Sequence, residues 1–333
     1  MKMDCSPSLD TARIHELSAP DAHALVDELL GAPEEWPSPL LQFRLSHPSQ
    51  HDWTEEVGHC LHTAAKHGYR TEVVELILKQ AKRRSRSLEI DPNDKRHEKL
   101  METIAAVMVD HYLCGSGWTF AAWEPGPKGG DVDVDLALRA PDGTAANLQV
   151  KAPERQGHVV NHREHDGENE AGLLKATQTA MRQLPRNSAA ANFVVLCSKR
   201  AWPLAVDVQP LVSFLIGATV QLALPSAVTL PVANRGAFFT DEWRHVSAVI
   251  VLDYFRGADL DFDAESAASA VVRRLPEYVC TVLFNPKADV PSSADWFPHA
   301  RVCRLDQSAS FRWIRGEPGD AHTLPDGTAV TGG

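Results

Sequence analysis

Apolar residues recur every three to four positions through the first third of the chain, the spacing of helices that each bury one face. Pro20-Asp21 opens such a run, with Ala24, Leu25, Leu29 and Leu30 along it. The same period predicts helices over 54–66 and 71–84, separated at Gly68, and another over 95–113. Asp91-Pro92-Asn93-Asp94 supplies a break and an N-terminal signal for the last of these, and Gly115-Ser116-Gly117 ends it. That helix is expected to bury Leu100, Ile104, Val107, Met108 and His111, with Glu98 and Glu102 four apart on one face.

The period then shortens. A strand is expected over 118–123, and Asp131 to Leu138 alternates polar and apolar, the mark of a strand with one buried face. Pro141-Asp142-Gly143 forms a turn, because Pro presets φ and Gly supplies the left-handed position, and 145–152 is the returning strand. Helices are expected over 170–184, 207–217 and 264–275, and strands over 192–197, 219–224, 245–253, 278–284, 301–305 and 311–315. This alternation is that of an α/β fold, a mixed sheet flanked by helices. Residues 1–92 read as a helical N-terminal extension, and 93–315 as an α/β domain whose C-terminal elaboration starts near 205. Residues 316–333 are rich in Gly, Pro and Asp and read as a disordered tail.

The formal charge of −11 argues against a broad nucleic-acid coat, which needs a basic surface, but leaves room for a local basic groove. Lys79, Lys82, Arg83, Arg84 and Arg86 are the candidates for one, although basic residues at a helix C-terminus also complement its dipole. The six cysteines are scattered with no CxxC pair, which favours reduced thiols and a cytoplasmic setting. The most apolar stretch, 211–231, is broken by Gln221, Pro225 and Pro231, so no membrane span and no membrane partner are expected.

The chemistry concentrates in the hairpin. With a three-residue loop at 141–143, Ala140 pairs with Thr144, so Asp135 falls opposite Gln149 and Asp133 opposite Lys151. Side chains alternate, so these four share one face while Val134, Leu136, Leu148 and Val150 fill the other. Opposed residues have Cβ atoms about 5 Å apart, close enough for carboxylates, an amide and an ammonium to act on one divalent cation. The alternative is a solvated hairpin edge with Asp133–Lys151 as a surface ion pair.

This arrangement resembles the restriction-endonuclease-like, or PD-(D/E)xK, nucleases over roughly residues 95–200. That superfamily's core runs helix, three strands, helix, strand, with an Asp on the second strand, an acidic-x-Lys motif on the third and often a Glu on the first helix. The resemblance implies Asp135 on the second strand, Gln149-Val150-Lys151 as the third-strand motif, and Glu102, or less well Glu98, on the helix. Gln149 departs from the usual Glu or Asp and resembles the Gln-x-Lys form of the methyl-directed restriction enzymes. The implied activity is phosphodiester cleavage with Mg²⁺ or Mn²⁺, on DNA ahead of RNA. Asp135, Gln149, Glu102, the Val150 carbonyl and possible Asp133 would hold the metal. Lys175 and Gln178 are implied as auxiliary residues, because helicase-linked branches carry a Gln-x-x-x-Tyr helix motif; Gln178 matches its first position and Arg182 replaces the Tyr.

Two other classes share these residues. Gly115-Ser116 followed by Asp131, Asp133 and Asp135 resembles the Gly-Ser and Asp-x-Asp pattern of nucleotidyltransferases. A nuclease-like fold kept as a binding or scaffold module is favoured by Gln149 and by the acidic charge. The C-terminal half could serve as a homodimer face or a partner-protein contact. His59 and His62 lie three apart on a helix but give only two ligands, so a mixed helix surface is expected there rather than zinc. The His158, His162 and His165 loop is expected to be solvent-exposed.

Overall fold

In the computed structural model the described residues are 8–10, 14–31, 54–81, 95–125, 132–153, 166–198, 209–223, 229–255, 277–305 and 311–315. They form a nine-stranded mixed sheet with helices on both faces. Strand β1 is Ser8–Asp10, and helices α1 (Ala19–Leu30), α2 (Thr54–Lys66), α3 (Arg70–Ala81) and α4 (Lys95–Gly115) follow. Then come β2 (Thr119–Trp123), β3 (Leu136–Arg139), β4 (Ala145–Lys151), α5 (Asp166–Gln183) and β5 (Ala191–Ser198). Helix α6 (Gln209–Ile216) leads to a separate two-stranded ribbon, β6 (Gly217–Ala223) and β7 (Thr229–Arg235). Strands β8 (Ala248–Phe255), β9 (Glu277–Phe284), β10 (Arg301–Leu305) and β11 (Phe311–Arg315) complete the chain order.

The sheet runs β11-β10-β9-β8-β5-β4-β3-β2. β2, β3 and β4 form an antiparallel meander, and β4, β5 and β8 are parallel. β1 pairs with the first residues of β9, on the edge that β10 takes further along. The segment expected to be a helical extension also contributes a strand to the main sheet.

Strand alternation sorts the core into two layers. Phe193, Val195 and Cys197 of β5 and Ile250 and Leu252 of β8 pack with α1 to α4. Val194, Leu196, Val249 and Val251 face α5 and α6. Val26, Leu30, Val57 and Leu61 share one apolar cluster with Leu136, Leu148 and Val150, so the N-terminal helices form one face of the α/β core. Burial of each such side chain contributes about 1.5–3 kcal/mol before chain entropy is counted.

Local signals explain the element ends. Ser18 caps α1, its Oγ accepting from Asp21 N at 3.3 Å, with Pro in the first turn. Gly58 lets α2 press onto α1, since a Cβ there would lie 2.2 Å from the Ala22 carbonyl oxygen. The hairpin turn closes through Gly143 N to Ala140 O (2.8 Å) and Thr144 N to Asp142 Oδ1 (2.9 Å). Gly143 has φ 89°, a backbone conformation that glycine adopts without a Cβ penalty.

Several expectations lie outside the described residues: the helix over 264–275, the tail over 316–333, the loop histidines, Asp131, and the basic residues Lys82, Arg83, Arg84 and Arg86. Among the described residues, no helix is long and apolar enough to cross a membrane.

Candidate active site

The hairpin register is the expected one. Leu136 pairs with Leu148, Ala137 with Asn147, Leu138 with Ala146 and Arg139 with Ala145. Val134, Leu136, Leu148 and Val150 are all buried, as the alternation requires. Asp135 sits at a bend just before the paired residues: its N–H donates to Leu148 O at 3.0 Å, and its Oδ2 accepts from Val150 N at 2.7 Å. The Asp135 carboxylate thus stands in for a strand neighbour beyond the start of β3. A residue's N–H and C=O point to the same strand edge. The Val150 carbonyl therefore faces the β3 edge of β4.

Gln149 lies on the α5 side of β4 and is 1% exposed. Its Oε1 is buried without a hydrogen-bond partner. A buried amide oxygen left unpaired costs about 1–3 kcal/mol, so this atom is suited to an added donor or cation. Lys151, last in β4, carries its ammonium to Glu102 of α4, Nζ to Oε1 3.1 Å, with the two side chains 13% and 15% exposed. Lys151 thus reaches from the end of β4 to the α4 layer, whereas Gln149 faces α5.

Asp133 departs from expectation. The chain has left the strand there, so Asp133 does not oppose Lys151. Its N–H donates to Gln183 O at 2.9 Å, and its Oδ2 accepts from Gln183 Nε2 at 3.3 Å, at the C-terminus of α5. The exposed helix end offers carbonyls that the departing chain satisfies. Glu98 lies in α4, but its side chain is outside the described set. Lys79 and Lys175 are exposed. Gln178 and Arg182 line a cleft of about 330 Å³ with Phe214 and Trp243, and Asp135, Gln149, Lys151 and Glu102 are not among its lining residues.

Ser116 closes α4 by donating from Oγ to Tyr112 O at 2.9 Å. This is the negative end of a helix dipole, the opposite of the helix N-terminus that favours a phosphate. The Gly115-Ser116 pair is therefore a helix stop.

A second polar centre lies in the helical layer, where residue spacing gave no warning of it. His59 was expected on a mixed helix surface, but it is 2% exposed because α2 is packed on both sides. Its ring stacks on His15 with centroids 3.5 Å apart. His15 Nε2 lies 2.9 Å from Glu56 Oε2, and the Tyr278 hydroxyl of β9 donates to Glu56 Oε1. Thr63 Oγ1 lies 2.7 Å from His111 Nδ1. Burial alone would raise the Glu56 carboxyl, but the His15 bond, neighbouring histidine charge and the Tyr278 hydroxyl hold it down at about 2. Burial pushes His59 and His111 down to about 4, with Glu56 opposing in both. Next to this centre, the buried Asp110 accepts from Tyr69 Oη at 2.5 Å and Cys114 Sγ at 3.2 Å, with His67 Nδ1 2.7 Å away. Burial, then Asp110, pushes the Cys114 thiol up, so it remains protonated.

Among the described residues, three groups of potential ligand atoms lie within 4.8 Å of one another: His15-Glu55-His59, His15-Glu56-His111 and His67-Asp110-Cys114. The side chains around β4 form no such group of carboxylates, because Glu102 turns to Lys151 and Asp135 to Val150. Of those residues, Gln149 presents a buried oxygen without a hydrogen-bond partner, the kind of neutral donor that Mg²⁺ accepts beside water. No family model matches this chain, and no curated protein or solved structure matches it.

Proposed function

We propose that the chain cleaves phosphodiester bonds in nucleic acid, DNA ahead of RNA, with a divalent cation such as Mg²⁺ or Mn²⁺. The observation that carries the reading is the 3.1 Å contact with Glu102 of α4 made by Lys151, which closes the hairpin that holds Asp135 and Gln149. The order α4, β2, β3, β4, α5, β5 supports it, since it follows the helix, three strands, helix, strand of the restriction-endonuclease-like nucleases.

Asp135 and Glu102 would supply carboxylates, and Gln149 and Val150 neutral oxygens. Bound there, the cation would polarise a phosphoryl oxygen and acidify water. The Lys151 ammonium would orient the attacking water and offset charge on the phosphate. To do so it must leave Glu102, so the Lys151–Glu102 pair is the resting arrangement of the site. A second reading, a nuclease-like fold used only for binding, is favoured by Gln149, which brings no charge to a cation. Cleavage assays on single- and double-stranded DNA and RNA with Mg²⁺ or Mn²⁺ separate the two. Metal-dependent cutting lost in Asp135→Ala supports the nuclease. Binding without cutting by folded wild-type protein supports the module.

A further inference from the structure

We propose that His15, Glu56 and His111 form a binding site for one divalent transition-metal ion of the zinc class, which ties the segment before α1 to α2 and α4. The site is separate from the β4 residues and does not depend on the nuclease reading. Ligand atoms of the three residues lie within 4.8 Å of one another, although the residues come from three stretches of chain. Two imidazoles and one carboxylate are a set that zinc accepts with a fourth position left over. Imidazole donors favour such an ion over Mg²⁺.

Two further features point to a ligand. His111 Nδ1 is engaged by Thr63, which fixes the ring, while its Nε2 is buried without a hydrogen-bond partner. This is how metal-binding histidines are oriented from behind. Both nitrogens of His59 are likewise buried without hydrogen-bond partners, and His59 groups with His15 and Glu55 within 4.8 Å. His59 belongs to that neighbouring group and is not one of the three ligands. An apolar side chain would suit these places better unless something occupies them, because buried polar nitrogens without partners carry an unrecovered desolvation cost.

Glu56 is fully buried, and its second oxygen is held by the Tyr278 hydroxyl of β9. The carboxylate is thus buttressed from the sheet. An ion would take the place of the His15–Glu56 hydrogen bond and join three elements across the helical layer.

The test is the metal content and thermal stability of the full chain. Protein loaded with Zn²⁺ and desalted should retain one equivalent per chain. Adding Zn²⁺ to chelator-stripped protein at about a hundredfold excess over Kd should raise Tm by roughly 3–6 °C. His15→Ala, at a part-exposed position outside any helix, should lose the equivalent and the Tm shift, as should His111→Gln. His67→Ala should keep both. Cobalt-loaded protein should show visible bands without an intense near-ultraviolet thiolate band. No retained metal and no Tm shift in folded wild type would overturn the proposal. So would a site lost in His67→Ala but kept in His15→Ala, or a cobalt thiolate band, either of which would move the ion to the Asp110-Cys114 group.

Discussion

Lys151 at the end of β4 places its ammonium 3.1 Å from the Glu102 carboxylate on α4, and both side chains are largely withdrawn from water. This contact links the hairpin to the helix that precedes it. It also changes what a substitution does. Lys151→Ala strands a carboxylate where little water reaches, so it should cost about 1.5–3 kcal/mol, the usual loss for a charged hydrogen bond. The Lys151→Ala/Glu102→Gln double variant should recover part of that loss. Urea unfolding of the four proteins measures the coupling, and strictly additive losses would remove the pair from the account.

The α1–α2 contact depends on the absence of a side chain at Gly58. A methyl group there meets the Ala22 carbonyl oxygen at 2.2 Å, a backbone atom that cannot rotate away. Gly58→Ala should force the helices apart and lower stability by about 1–3 kcal/mol, despite the better helix propensity of Ala. A thermal melt equal to or above wild type would contradict this packing.

Asn192 is a buried polar hub at the start of β5. Its Nδ2 donates to Pro185 O and His245 O, each at 2.8 Å, and its Oδ1 accepts from Asn147 Nδ2 at 2.9 Å. Asn192→Leu would remove all three and leave buried carbonyls unpaired, for a loss of about 2–4 kcal/mol. Denaturant midpoints should fall further in Asn192→Leu than in Asn147→Ala, which loses only the outer contacts to Asn192 Oδ1 and Ser188 Oγ.

For the metal-stripped protein, the buried histidines set a pH dependence. His59 and His111 titrate near 4 when folded, against an ordinary 6.5 when unfolded. Between these values the unfolded chain binds more protons, so stability rises with pH and falls on acidification from about 6.5 to about 4. Each histidine contributes a slope of up to about 1.4 kcal/mol per pH unit. His111→Gln should flatten the fall in Tm over that window, and an unchanged slope would place His111 in a solvated setting.

The hairpin was legible because its signals are local. Alternation fixed the buried face, and Pro141-Asp142-Gly143 fixed the register from Leu136–Leu148 to Arg139–Ala145, while Asp135 bends out of it to bond Leu148 and Val150. Asp133 was misplaced because alternation continues past Asp135 in the sequence, whereas the chain turns to the end of α5. β1 has only three residues, too few for a period, and β7 contains Pro231, which belongs on a short ribbon rather than inside a sheet. The His15, Glu56 and His111 centre is non-local. Glu56 lies 41 residues from His15, and Thr63 lies 48 from His111, so only packing of α2 against α4 reveals it. The Lys151–Glu102 contact was not foreseen as a pair, although both residues were candidates for the same site.

Single-turnover cleavage of labelled DNA and RNA decides whether the end of β4 acts as a nuclease site. Wild type is compared with Lys151→Ala, Asp135→Ala and Glu102→Gln, each shown to be folded at the assay temperature. The account predicts Mg²⁺- or Mn²⁺-dependent cutting by wild type and a loss of at least about a hundredfold in Lys151→Ala and Asp135→Ala, the scale of removing one positioned charge-stabilising group. Cutting that persists undiminished in a folded Lys151→Ala protein would contradict it.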